Sequence, residues 1–199
     1  MRRMPNIRSL EATMSTRKST STDAILPMTA DYMEQIVRRE KTYEFRRYLI
    51  SSCVQRIWFY LNAPHSHIRY ICAIDPARTR NAEDEPLPED GAGNHEFNTR
   101  HEDWDKYDYA YRILDVREIS PPIPLSDLKA IYGMKGAPRG LVYVPPTLVN
   151  GCKVEEQQLL WSAEMKVEDI ITVQPNLPDP EKRKRAGSEV TTNIKKTRR

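Results

Sequence analysis

No unbroken run of apolar residues in this 199-residue chain is longer than five, and Ile57–Leu61 is one run of that length. A membrane-spanning helix needs about 20 apolar residues in succession. The sequence therefore predicts no transmembrane helix, and we expect no membrane partner. Apolar runs this short fit a series of short β-strands instead.

The order of patterns along the chain predicts an α+β fold in which strands outnumber helices. Strands are predicted at 54–61, 69–75, 109–119 and 141–144. Thr29 is suited to cap a first helix that ends near Glu40, and Ser126 is suited to cap a second, short helix. For residues 150–174 the sequence allows either a helix or a strand.

Aromatic residues at strand spacing are either core or platforms on which bases stack. The four candidates are Trp58, Tyr60, Tyr109 and Tyr111. Trp104 stands among three acidic residues, so we do not expect it to contact phosphate.

The net charge of +3 is divided unevenly along the chain. Residues 1–24 carry +3 and residues 179–199 carry +5, which leaves −5 for the residues between them. Both ends are also poor in periodic apolar residues. We therefore predict one domain over residues 25–174, flanked by a disordered tail at 1–24 and a disordered basic tail at 175–199.

Two basic clusters near the C-terminus, Lys182–Arg185 and Lys195–Arg199, are separated by nine residues. This spacing resembles a bipartite nuclear localisation signal, so we expect a nuclear or nucleocytoplasmic location and a nuclear import receptor as a partner. A polybasic tail that contacts nucleic acid without specificity is the alternative. The Arg- and Ser-rich N-terminus also has some features of a mitochondrial transit peptide.

The three cysteines, Cys53, Cys72 and Cys152, include no C-x-x-C pair. The spacing therefore predicts neither a disulfide framework nor a metal site. No G-x-S-x-G, H-E-x-x-H or Walker A motif occurs, and no cofactor is predicted.

The segment 39–47 combines cations and a carboxylate directly after the first predicted helix. In an extended chain Glu44 and Arg46 share one face, and Lys41 lies at the turn before them. Arginine offers a fork to phosphate or a base edge, glutamate accepts from an exocyclic amine, and lysine supplies a point charge. This group therefore predicts either a ligand site or an exposed ladder of ion pairs.

Gly91–Asn98 forms the second half of a long predicted loop and is a second candidate site. Glycine permits tight turns, and the side-chain amides can make specific hydrogen bonds. We expect Gly93, Asn94 and Asn98 to belong to a loop that closes over a ligand.

The spacing Lys41-x-x-Glu44-x-Arg46 resembles the G-x-K-x-x-E-x-R signature of the ASCH family, within the PUA-like superfamily. Glu40 or Arg39 stands where the glycine is usual. The order of elements over residues 25–150 is also similar. The resemblance implies a small bent PUA-like β-barrel with flanking helices, and binding of RNA or a modified nucleobase at Lys41, Glu44 and Arg46.

The same resemblance implies an alternative activity, because some bacterial ASCH proteins are amidohydrolases that deacylate acetylated cytidine with a lysine, a threonine and a glutamate. Lys41 matches the lysine, whereas Glu44 occupies the position of the threonine. Thr42 is then the candidate hydroxyl, and Asp115 the candidate distal acid. Binding without turnover is our prediction, and a scaffold in transcriptional coactivation is a third hypothesis.

Fusing residues 182–199 to a neutral cytosolic reporter is expected to move the reporter into the nucleus, because import receptors bind paired basic clusters. Neutralising Lys182–Arg185 should weaken the effect, as measured by fluorescence microscopy. An unchanged whole-cell distribution of both fusions would contradict the prediction.

Overall fold

The computed structural model describes residues 21–164. The strands are β1 (Asp23–Met28), β2 (Tyr43–Arg46), β3 (Arg56–Leu61), β4 (His67–Ala73), β5 (Tyr109–Arg112), β6 (Asp115–Pro124), β7 (Val142–Tyr143) and β8 (Gln158–Ser162). The α-helices are α1 (Ala30–Val37), α2 (Asn94–Thr99), α3 (Leu125–Ala130) and α4 (Pro146–Gly151). Short 3-10 turns occupy Glu102–Trp104 and Val154–Glu156.

Most of the predicted tails lies outside the described residues. Residues 21–24 belong to the predicted N-terminal tail, and β1 begins among them at Asp23. The predicted C-terminal tail, with both basic clusters, and the last part of the predicted domain, 165–174, lie beyond the described range.

Six strands form one sheet in the order β7-β1-β3-β4-β6-β8, and β2 pairs with β5 in a separate antiparallel ladder. β1 runs parallel to β3, and the other neighbours in the large sheet are antiparallel. The parallel pair needs a crossover connection, which contains α1 and β2. The predicted α+β class is confirmed.

The closed barrel implied by the family resemblance is not found in residues 21–164. The large sheet ends at β7 on one side and at β8 on the other, and these two edge strands do not pair with each other. The short β2–β5 ladder stands apart from this sheet. The described part of the chain is therefore an open sheet with a smaller ladder beside it.

The central strand β3 is buried on both faces. Ile57 and Phe59 belong to one apolar cluster with α1, whereas Trp58 and Tyr60 belong to a second cluster with Leu128 of α3. Trp58 and Tyr60 are 0% and 2% exposed, so they are core residues and not stacking platforms.

The predicted strand 109–119 is divided into the two strands β5 and β6. The prolines that follow residue 119 do not end β6, which continues to Pro124. The chain changes partner between β5 and β6, because β5 pairs with β2 whereas β6 pairs with β4 and β8. The β8 pairing stops at Glu118, so the proline-rich end of β6 has a partner on one side only. Proline is tolerated there because an unpaired strand side does not require its N–H.

The sequence allowed either a helix or a strand over residues 150–174, and the structure shows a strand at 158–162. After the turn Val154–Glu156, β8 joins the edge of the large sheet. Leu160 and Trp161 of β8 are buried in the same cluster as Ile57, so this strand completes the core.

Asp23 is a buried acceptor at the start of β1. Its carboxylate accepts from Arg56 Nε at 2.7 Å, Arg56 Nη2 at 2.8 Å and Trp58 Nε1 at 2.9 Å. Burial raises the pKa of this carboxyl, but hydrogen bonds from Arg56, Trp58 and Thr22 outweigh burial, and the pKa lies below its ordinary value. The contacts tie β1 to β3 at one end of their parallel pairing.

Replacing Asp23 with alanine is expected to lower the free energy of unfolding by about 2 to 3 kcal/mol, because Arg56 and Trp58 lose a shared acceptor. Urea unfolding measures this difference. The difference is present above about pH 4 and shrinks as the pH falls through the lowered pKa, where the wild-type carboxylate is protonated.

Arg69→Ala is the matched control, because Arg69 Nε pairs with Glu118 at 2.7 Å in a more exposed setting. We expect this change to cost less than about 1 kcal/mol. Equal losses in the two variants would contradict the role of Asp23.

Candidate functional site

A cleft of about 500 Å³ opens beside α1. The end of β1, α1 and β2 form one side, and the chain from 92 to 107 forms the other. The lining residues are Pro27, Met28, Thr29, Tyr32, Gln35, Lys41, Glu44, Phe45, Arg46, Asn62, Ala92, Gly93, Asp103, Trp104 and Tyr107.

Three charged side chains, Lys41, Glu44 and Arg46, form what we call the floor triad. Glu44 lies between the cations: Oε1 is 2.8 Å from Arg46 Nη2, and Oε2 is 3.6 Å from Lys41 Nζ. Arg46 Nη2 also donates to the backbone oxygen of Pro27 at 3.4 Å, which connects the triad to β1. The structure therefore brings together the three residues that the motif singles out.

Lys41 occupies an unusual setting for an ammonium group. The residue is 7% exposed, and Nζ lies 4.4 Å from the centre of the Phe45 ring. Burial lowers the pKa of Lys41 and Arg46 lowers it further, while Glu44 raises it; the net pKa is below the ordinary value. The amine therefore gives up its proton more readily than an exposed lysine does.

Arg39, two residues before Lys41, adopts a φ of 59°. This is the left-handed region that favours glycine, and it coincides with the position at which the ASCH signature has glycine. The turn before the floor triad is thus formed with an arginine, whose guanidinium carbon lies 4.9 Å from the centre of the Trp161 ring.

Phe45, Trp104 and Tyr107 form an aromatic wall beside the floor triad. The rings of Phe45 and Trp104 meet edge to face at 4.7 Å, and those of Trp104 and Tyr107 lie 5.7 Å apart. Gly93 packs against this wall with a φ of 90°, and a Cβ added there would lie 2.5 Å from Trp104 Cη2. Only glycine satisfies both the backbone conformation and the close approach.

The two predicted asparagines hold the loop and do not line the cleft. Asn94 is fully buried, and its Nδ2 donates to Pro88 O at 2.7 Å and to Asp90 Oδ1 at 3.0 Å. Asn98 exchanges two hydrogen bonds with the backbone of Leu87, at 2.8 and 2.9 Å. Of the three predicted loop residues, the structure places Gly93 in the lining.

The two other residues proposed for hydrolysis lie outside the cleft lining. The Thr42 hydroxyl donates to Asp90 Oδ1 at 3.0 Å and is 3.2 Å from Asn94 Nδ2. Asp115 accepts from the backbone N–H of Ala73 at 2.8 Å, so its carboxylate joins β6 to β4. Neither residue lines the cleft.

The sequence patterns missed the aromatic wall. The acidic neighbours of Trp104 predict only that it does not contact phosphate, and the structure places its ring in the cleft lining beside Phe45. Tyr111 is instead 2% exposed, and its hydroxyl accepts from the backbone N–H of Ile50 at 2.6 Å. Tyr109 packs against the core cluster of α1 and β3. The three-residue spacing of Trp104 and Tyr107 is the local sequence pattern that could have indicated the wall.

Within residues 21–164, no helix is long and apolar enough to cross a membrane. The same residues contain no group of three or more His, Cys, Asp or Glu side chains that could hold a metal ion.

Comparison with known proteins identifies a fold resemblance to ASCH proteins. No family model matches the sequence, and no curated protein matches it. Two crystal structures of single-substitution mutants of an ASCH protein from Zymomonas mobilis match with TM-scores of 0.48 and 0.47 and identities of 20% and 19%. They cover 66% and 69% of this chain and 94% and 99% of their own.

The unsubstituted Zymomonas mobilis protein matches with a TM-score of 0.45 and 21% identity over 65% of this chain and 94% of that protein. The solved structures that match are thus of the family that the sequence motif resembles. Similarity at this level transfers no residue role to this chain.

The pKa of Lys41 is expected to respond in opposite directions to two substitutions. Glu44→Gln removes the carboxylate that raises the pKa, so the pKa falls; Arg46→Met removes a cation that lowers it, so the pKa rises. NMR titration of the lysine Cε resonance measures both shifts. Shifts of the same sign in both variants would show that the triad geometry is not as described.

Proposed function

We propose that this chain is a binding module that recognises an RNA base or a modified nucleobase in the cleft beside α1. The observation that carries the proposal is the pairing of a buried, charged floor with an aromatic wall in one cleft. A base needs both kinds of surface, because it has a flat face that stacks and an edge that forms hydrogen bonds.

The wall supplies the stacking surface. Base–aromatic stacking contributes about 1 to 3 kcal/mol per base and tolerates any base. Trp104 and Tyr107 are partly exposed, so their rings are accessible from the cleft. The floor triad supplies directional contacts, since arginine and lysine donate to acceptors on base edges.

The charge distribution favours a pocket over broad backbone binding. Affinity for nucleic acid that does not depend on sequence grows with the number of phosphates neutralised. Residues 25–178 carry a net charge of −5, so this region offers little general attraction to a phosphate backbone. A single base held in a cleft is consistent with that balance.

One observation favours deacylation of an acylated nucleoside as the second candidate. Burial lowers the pKa of Lys41, which suits a general base. The Thr42 hydroxyl, however, donates to Asp90, and Thr42 is not among the residues that line the cleft. The contacts therefore support binding without turnover.

We further propose that the basic clusters at Lys182–Arg185 and Lys195–Arg199 engage a nuclear import receptor. The support for this step is the spacing of the two clusters in the sequence.

Binding is expected to quench tryptophan fluorescence, because a base stacked on Trp104 changes its surroundings. Trp58 and Trp161 are 0% and 1% exposed, so they contribute little to the response. The probes are N4-acetylcytidine and a mixed-sequence single-stranded RNA hexamer. Arg46→Ala should weaken binding by about 1 to 3 kcal/mol, and Trp104→Phe should remove most of the signal.

Arg69→Ala is the control for charge, because Arg69 pairs with Glu118 in the large sheet and does not line the cleft. Its affinity should equal that of the wild type. Failure of both probes to bind, or equal affinities for wild type and Arg46→Ala, would contradict the proposed function. Release of acetate from N4-acetylcytidine, abolished in Lys41→Ala, would favour the hydrolase instead.

A further inference from the structure

We propose that the cleft selects bases that present an oxo group, and not an exocyclic amine, to the floor triad. This selectivity rests on the proposed function, because it concerns the ligand of the same cleft. It also assigns Glu44 a positioning role, in which the carboxylate holds Lys41 and Arg46 and does not bind the base directly.

The carboxylate acceptors of the floor triad are already occupied. Glu44 supplies the only carboxylate of the triad, and both of its oxygens already face cations, at 2.8 Å from Arg46 Nη2 and 3.6 Å from Lys41 Nζ. Its side chain is 9% exposed. An exocyclic amine would have to compete with two charged donors for this buried group.

The floor triad has more hydrogen-bond donors than acceptors. Lysine has three N–H donors and arginine has five, whereas a carboxylate has about four acceptor sites. One Arg46 donor is directed to Pro27 O, and Arg46 Nε is buried without a hydrogen-bond partner among the described residues. The triad therefore has a surplus of donors and a net charge of +1.

The other polar lining residues do not reverse this preference. Gln35 and Asn62 have side-chain amides, which can either donate or accept. The Asp103 side chain is 83% exposed and lies toward solvent, so water competes for its carboxylate. The buried floor thus decides which ligand edge is preferred.

An oxo group supplies the acceptor that the floor lacks. An exocyclic amine would instead turn N–H donors toward N–H donors and leave buried groups unpaired. Sites built around hydrogen bonds discriminate strongly between ligands that differ in this way. The expected preference follows from polarity, because the two kinds of base have nearly the same size.

The experiment compares bases that differ in this substituent, namely inosine with adenosine and uridine with cytidine, by calorimetry with the full chain. Each oxo nucleoside should bind at least about tenfold more tightly than its amino counterpart. Equal affinities within both pairs, or tighter binding of the amino members, would overturn the selectivity. Failure of all four to bind would instead contradict the proposed function itself.

Lys41→Met tests the origin of the preference, because it keeps an unbranched side chain and removes the three donors. The variant should lose the oxo preference and retain weak binding through the wall. Near-ultraviolet circular dichroism of the buried Trp58 and Trp161 reports whether it folds. If it does not fold, the wild-type affinity ratios still decide the selectivity.

Glu44→Gln tests the positioning role through a pH profile. The charged groups that face Lys41 are Glu44 and Arg46 of β2, with Asp103 and the phenols of Tyr32 and Tyr107 in the same cleft. Without the carboxylate the pKa of Lys41 falls, so affinity for inosine should be lost at a lower pH than in the wild type.

Glu118→Gln is the matched control, because Glu118 pairs with Arg69 and lies outside the cleft lining. It should leave the pH profile unchanged. A Glu44→Gln profile that coincides with that of the wild type would overturn the positioning role.

Discussion

The cleft depends on the ion pairs of Glu44 with its two neighbours. Lys41 is buried and Arg46 is partly buried, and both approach the same carboxylate, so the two cations repel each other and lose part of their hydration. The carboxylate offsets both costs, at 2.8 Å from Arg46 and 3.6 Å from Lys41. Because one partner is shared, the cluster keeps a positive charge in a largely buried setting, and this charge underlies the preference for acceptors that we propose.

The loop that carries the wall is held by partly buried hydrogen bonds within the chain, independently of any ligand. Asn94 and Asn98 use their amides to fix the backbone around Leu87 and Pro88. Gly93 then lets the chain pass against Trp104 and Phe45. A preformed wall reduces the ordering cost of binding, which is the general advantage of a rigid site.

The sequence predicted the parts of the site that depend on local spacing. Glu44 and Arg46 share a face because alternate residues of a strand do so, and the α+β class follows from short alternating runs. Trp104 could not be placed in this way, since it reaches Phe45 through packing across 59 positions of the chain. The roles of Asn94 and Asn98 likewise depend on which backbone atoms the folded loop leaves buried.

The fold shows the same division between local and distant causes. The apolar run Ile57–Leu61 predicted a strand, but whether one or both of its faces are covered depends on α1 and α3, which lie outside the run. β6 continues to Pro124 because it pairs with β4 there, and its prolines are tolerated because β8 stops pairing at Glu118; neither partner can be read from the local proline pattern. Closure into a barrel would require pairing of the two edge strands β7 and β8, which lie at opposite edges of the large sheet although they follow each other in the sequence.

Arg39 links the local motif to this distant packing. A left-handed residue other than glycine carries a conformational cost, so something in the fold has to hold it. The Arg39 guanidinium lies over the ring of Trp161, and Trp161 Nε1 donates to the backbone oxygen of Ile36 at 3.1 Å, at the end of α1. One buried residue of β8 thus contacts both the end of α1 and the turn that leads into the floor triad. The left-handed turn at Arg39 is therefore in contact with the last described strand.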